Sequence, residues 1–208
     1  MQAFFTAAYN DQLDTSIQAL ELESSVELVT VIYPESDHYR DSELCGFILL
    51  TAIWLLVTFM IHLEIHLYLI LFGTLLCFSL GIGLVKGLNP LKRLLTNKAR
   101  MRREAEIMAR AVFQKAHLHR TSHHTAVLVF VSVMEQRAIV LWDIGVDMAL
   151  NIEDLDQLAV DFDQIFEADA PPQALLEQIK ACTPLFAQHL PVQPNDINEL
   201  PNHLSVQL

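Results

Sequence analysis

The sequence predicts an α/β domain into which a two-helix transmembrane hairpin is inserted. Three observations carry this reading: two apolar stretches of bilayer length lie back to back, β-branched runs stand on either side of them, and amphipathic helical repeats flank those runs.

The apolar stretches dominate the chain. Leu44 to Leu63 is 20 residues without a formal charge, and Leu67 to Val85 is another 19. About 20 helical residues at a rise of roughly 1.5 Å cover a hydrocarbon core of about 30 Å, so each stretch is one crossing long. A single helix through both would measure about 63 Å, twice what a bilayer covers. The polar residues His62, Glu64 and His66 therefore mark a turn on the far side. Seven of the 13 Lys and Arg residues lie between Lys86 and Arg103 and none lies in that turn. Basic residues near spans stay on the cytoplasmic side, which predicts an inner or plasma membrane protein with both termini cytoplasmic.

Composition narrows the function classes. A formal net charge of −12 and a pI near 5.0 argue against nucleic acid as a partner, because affinity for it comes mostly from neutralised phosphates. Mean hydropathy is +0.33, and the 208 residues leave one compact domain's worth of chain outside the spans. Cys45, Cys77 and Cys182 form no CxxC or disulfide pattern, which fits a reducing compartment. The first residues show no basic segment leading into an apolar one, so a cleavable leader is not expected.

In chain order, residues 1–43 read as the first part of the domain. Leu13, Ile17 and Leu20 give Asp11 to Ser25 an amphipathic helix, with Asn10 or Asp11 as cap. Val26 to Tyr33, rich in β-branched residues and stopped by Pro34, reads as a strand, and a polar lead follows it. The hairpin occupies 44–85 and the second part of the domain 86–190. There a Pro-containing break precedes a helix whose apolar stripe is Met101, Ala105, Met108, Val112 and Ala116, opposite Arg102, Arg103 and Arg110. The basic face is either a headgroup-binding surface or a topology signal on a helix that covers the sheet. Ala126 to Val133 and Ala138 to Trp142 read as an antiparallel strand pair, closed by an Asp143-Ile144-Gly145 turn in which glycine supplies backbone freedom. Two helices follow, Ile152 to Phe166 and Pro171 to Leu190, and residues 191–208 read as an extended tail. The first strand must then pair with strands far downstream.

No nucleotide loop, HExxH or GxSxG motif is present. Four groups remain as candidates. His117, His119, His123 and His124, between a helix end and a strand, are candidate metal ligands, or polar loop residues that end the helix. His62 and His66 are an interfacial turn or, less simply, a proton or metal relay. Ser132 and Asp143 each follow a strand and are expected at a common sheet end, as a candidate catalytic pair. Gly83 and Gly87 have GxxxG spacing, which suits either a membrane partner or packing of the two spans on each other.

The stretches HTAVLVFVSVMEQRAIVLWDIGV and SVELVTVIYPESDHYRD, with the ending Asn198-Glu199-Leu200-Pro201-Asn202, resemble the TPM domain family and its membrane-hairpin subgroup. Relatives there include a photosystem II repair protein and a proposed acid phosphatase. Where the family usually reads Thr-Gly before the strongest strand, this chain has Thr125-Ala126. The resemblance implies a three-layer α/β sandwich with a short mixed sheet. It also implies a possible divalent cation, with Glu27 and Asp143 at matching acidic positions. The leading expectation is a membrane-anchored interaction module, without enzymatic activity, that assists assembly or upkeep of a membrane protein complex. The rival is a metal-assisted phosphatase or hydrolase using Asp143, Ser132 and Glu27.

Overall fold

The structure is a computed structural model that describes residues 2–60, 66–121 and 123–192. The expected hairpin turn, apart from His66, and the tail from residue 193 lie outside the described residues. Contacts divide the chain into two compact units, residues 1–36 with 104–208 and residues 37–103. The second unit thus takes in the polar lead and the basic segment along with the two apolar helices.

The α/β unit is built on three strands, β1 (Glu27–Tyr33), β2 (Ala126–Ser132) and β3 (Arg137–Trp142), in that spatial order. Strand β1 is parallel to β2, with Glu27 opposite Ala126 and Tyr33 opposite Ser132. Strand β3 is antiparallel to β2, with Arg137 opposite Ser132 and Trp142 opposite Val127. Strand β2 is central and buried along its whole length, which is why its sequence is a continuous apolar run rather than an alternation. Alternate residues serve separate clusters. Leu28, Val127, Val129, Val131 and Val140 join one with Ile17 and Leu20 of α1 (Ala7–Glu23), Leu158 and Phe162 of α7 (Ile152–Asp163) and Ile179 and Phe186 of α8 (Pro171–His189). Val29, Val31, Leu128 and Phe130 join the other with Ala109 and Val112 of α5 (Lys98–Lys115) and with Leu118. The buried stripe of α5 is Met101, Ala105, Ala109 and Val112, and the expected Met108 and Ala116 are half-buried beside it.

Several boundaries differ from expectation. Helix α1 starts at Ala7, four residues before Asp11, and its N-cap Thr6 makes no side-chain capping bond. Asp143 opens a short helix, α6 (Ile144–Ala149), instead of a turn, and its Oδ1 accepts from the Ile144 N–H at 2.8 Å. Gly145 has no positive φ. It is required for space, because a Cβ there would lie 2.6 Å from the carbonyl oxygens of both His123 and His124.

The second unit holds α2 (Arg40–Met60) and α3 (Leu67–Gly87), which are long and apolar enough to cross a membrane. They pack through small residues. A Cβ on Gly73 would collide with the Trp54 ring, one on Gly81 with the Phe47 backbone and one on Gly46 with Val85. Phe47 and Phe78 meet edge to face with centroids 4.6 Å apart. A short helix, α4 (Asn89–Leu95), follows α3, with Pro90 in its first turn.

Candidate functional site

Ser132 and Asp143 do not share a sheet end. Ser132 closes β2, whereas Asp143 follows β3 at the other end, where its N–H donates to the Ala126 carbonyl at 2.9 Å. Consecutive antiparallel strands finish at opposite ends, and six residues at about 3.3 Å each separate the two side chains by about 20 Å. The expected catalytic pair is therefore not assembled.

Each belongs to its own network instead. Ser132 is fully buried, and its hydroxyl donates to Glu135 Oε2 at 2.5 Å while lying 2.7 Å from Ser36 Oγ. The other Glu135 oxygen accepts the Ser36 N–H at 2.8 Å, and Ser36 and Glu135 are themselves 6 % and 3 % exposed. The ladder continues into this network, since the N–H groups of Val133 and Met134 donate to the carbonyls of Tyr33 and Pro34. A hydroxyl already donated to a carboxylate at zero exposure is a joint within the fold, with no face open to a substrate. Ser36 and Glu135 lie almost 100 residues apart, and no local pattern links them.

At the opposite end His124 Nδ1 lies 3.0 Å from Asp143 Oδ2, so the imidazole nearest the strand closes on the acid that caps α6. His117 takes a left-handed conformation (φ 53°) and meets His119 edge to face at 5.9 Å. This agrees with loop histidines that end a helix. Among the described residues no three His, Cys, Asp or Glu side chains come together in a way that could hold a metal ion. The candidates His117, His119, His123, His124, Asp143 and Glu27 are not gathered into such a group. His66 stacks on Tyr68 at 5.4 Å, and its intended partner His62 lies outside the described residues.

Glu27 lines a cavity of ≈ 340 Å³ with Gln18, Glu21, Leu22, Ser25 and Val192. Burial, and then the nearby Glu27 carboxylate, push the Glu21 carboxyl up to about 7, against the pull of the Leu28 backbone N–H. Sequence reasoning missed Glu21, which looks like one more acid on a solvated helix face.

The glycines of α3 divide by role. Gly73 and Gly81 are filled by α2, whereas Gly83 and Gly87 meet nothing within 4 Å. With Ser79, Leu80, Leu84 and Leu88 they line an open groove of ≈ 300 Å³. Leu49, Ile53, Leu56 and Phe59 of α2 and Leu71, Phe72 and Leu75 of α3 are more than half exposed.

No protein family and no curated protein matches the sequence. Among solved structures the chain is similar to the NMR structure of the BA42 protein from the psychrophilic bacterium Bizionia argentinensis. The TM-score is 0.55 at 16% identity, over 95% of this chain and 91% of that one, a likeness of fold.

Proposed function

We propose that the chain is a two-span, membrane-anchored interaction module of the TPM kind, a three-layer α/β sandwich whose partner is another membrane protein. Membrane residence is supported by the apolar surface that α2 and α3 leave uncovered, since the core helices of a water-soluble protein bury such residues. Orientation is supported by Lys86, Lys92, Arg93 and Lys98 following the second span, which favour cytoplasmic termini. A single cysteine replacing Phe5 or Ser205 in an otherwise Cys-free protein is then shielded from an impermeant thiol reagent in intact cells, while one replacing Ile65 reacts. The opposite pattern would invert the topology.

The observation that carries the interaction reading is the division of the glycines. Helices in lipid associate where small residues let backbones approach, and the hairpin's own packing uses Gly46, Gly73 and Gly81. Gly83 and Gly87, one turn apart beside Ser79, stay available to a second helix. A role in assembly or upkeep of a membrane complex is the reading we draw from such a surface, beside a domain in which Ser132 and Asp143 lie apart. The test is Gly83→Leu followed by co-purification from mild detergent: a membrane partner is lost while both spans remain inserted. An unchanged partner set would remove the groove from the proposal. The hydrolase alternative has less support, because Ser132 and Asp143 sit at opposite sheet ends.

A further inference from the structure

We infer that α4 is an interfacial helix whose exposed Leu94 side lies at the boundary between lipid headgroups and acyl chains. This deepens the membrane reading above and rests on it. A helix on a water-facing surface turns its leucines inward and its lysines out. Helix α4 departs from this at Lys92 and Leu94, while Leu91 and Leu95 are half-buried. Lys92 is 5 % exposed and Thr96, its C-cap, 7 %, whereas Leu94 is 81 % exposed and Leu88, its N-cap, 49 %.

The inward side has specific partners. The Lys92 ammonium lies 5.6 Å from the centre of the Tyr39 ring, and Thr96 Oγ1 is 2.6 Å from Ser42 Oγ near the start of α2. Tyr39 is fully buried with φ at 45°, and Arg100 covers its ring at 5.5 Å while reaching Asp37 and Asp41. These contacts fix the roll of α4 about its axis, so the outward Leu94 is imposed by the fold.

In water this arrangement is unfavourable twice, because it removes an ammonium from solvent and leaves large apolar side chains in it. At a bilayer surface the second penalty becomes a gain. Leu88 is the only residue between α3 and α4, so the helix begins where the second span ends. Lys86, with a side chain 60% exposed although it lies 3.5 Å from Glu43 Oε2, and the exposed Lys98 flank it and match anionic headgroups in charge. Continuity with the span and this basic flank identify the occupant of the leucine side as the lipid surface.

The experiment uses the full chain in phosphatidylethanolamine/phosphatidylglycerol vesicles, with a nitroxide placed in turn at Leu94→Cys, Leu76→Cys and Glu153→Cys of a Cys-free background. Collision with oxygen and with a water-soluble nickel chelate reports depth. The expected result is an oxygen-to-nickel ratio at 94 shifted from the aqueous value at 153 toward the mid-span value at 76. An aqueous ratio at 94 with a lipid-like ratio at 76 overturns the interfacial helix and leaves the membrane reading intact. An aqueous ratio at 76 overturns both. Protection of 94 from both reagents places protein over Leu94 and also overturns the inference. Lys92→Met, which keeps the length of the side chain without its charge, checks that a change at 94 follows the roll of α4 and is not caused by the label.

Discussion

Replacing Ser132 by alanine separates a structural joint from a catalytic residue. The serine hydroxyl donates to Glu135 and lies against the Ser36 hydroxyl, all at 6 % exposure or less. The substitution deletes a donor to a buried carboxylate and an acceptor or donor to a buried hydroxyl. A hydrogen bond to a charged group contributes roughly 1.5–3 kcal/mol and one between neutral groups about 1 kcal/mol, so the loss should be roughly 2–4 kcal/mol. For a unit of this size each kcal/mol lowers Tm by about 4 °C, which gives a fall of about 8–16 °C. Trp142 is the one tryptophan of the α/β unit, and a Trp54→Phe background makes its fluorescence the readout of thermal unfolding in detergent. Ser36→Ala should shift the midpoint the same way by less, and the two together by less than their sum, because they share a bond. An unchanged Tm in Ser132→Ala, with loss of cation-dependent phosphomonoester cleavage, would refute this reasoning and restore the hydrolase reading.

Other outcomes follow from the same geometry. The Glu21 carboxyl is raised to about 7 from an ordinary 4.5, so the folded state holds its proton across that window and stability falls as pH rises from about 4.5 to about 7. Glu21→Gln should flatten that slope when unfolding midpoints are compared at pH 5 and pH 8. Gly145→Ala drives a Cβ against two backbone carbonyls and should cost about 1–3 kcal/mol, seen as faster amide exchange around Val146. Gly83→Ala, with open space around it, should leave stability unchanged or slightly raised. The Cys182 thiol, pushed up to about 12 by burial, should resist alkylation until the α/β unit unfolds, as mass spectrometry of reagent-treated protein would show.

The strands were legible because β-branched runs bounded by Pro34 and the Glu135–Gln136 turn have no competing helical period. The need for β1 to find a distant partner was legible too, since seven residues cannot stand as a lone strand, but the choice of β2 and a parallel register was not. Helix α1 was placed late because Thr6 makes no side-chain capping bond and Ala-Ala-Tyr has no apolar period. Asp143-Ile144-Gly145 was read as a turn from residues that equally begin a helix, and the difference lies in carbonyls contributed by His123 and His124. The separation of Ser132 from Asp143 was available from the antiparallel pair itself, because the second of two antiparallel strands ends where the first began. The Ser36–Glu135 contact and the inverted roll of α4 depend on tertiary partners far along the chain, and local pattern carries neither.

The parallel pairing of β1 with β2 sets an order of events during synthesis. Glu27 to Tyr33 leave the ribosome about 100 residues ahead of Ala126 to Ser132, and everything between them includes both apolar helices. At about 5–20 residues per second the first strand waits about 5–20 s for its neighbour. Over that interval its edge groups lack their β2 partners, and Leu28, Val29 and Val31 lack the cover they have in the finished fold. Helices α2 and α3 are complete well before that wait ends.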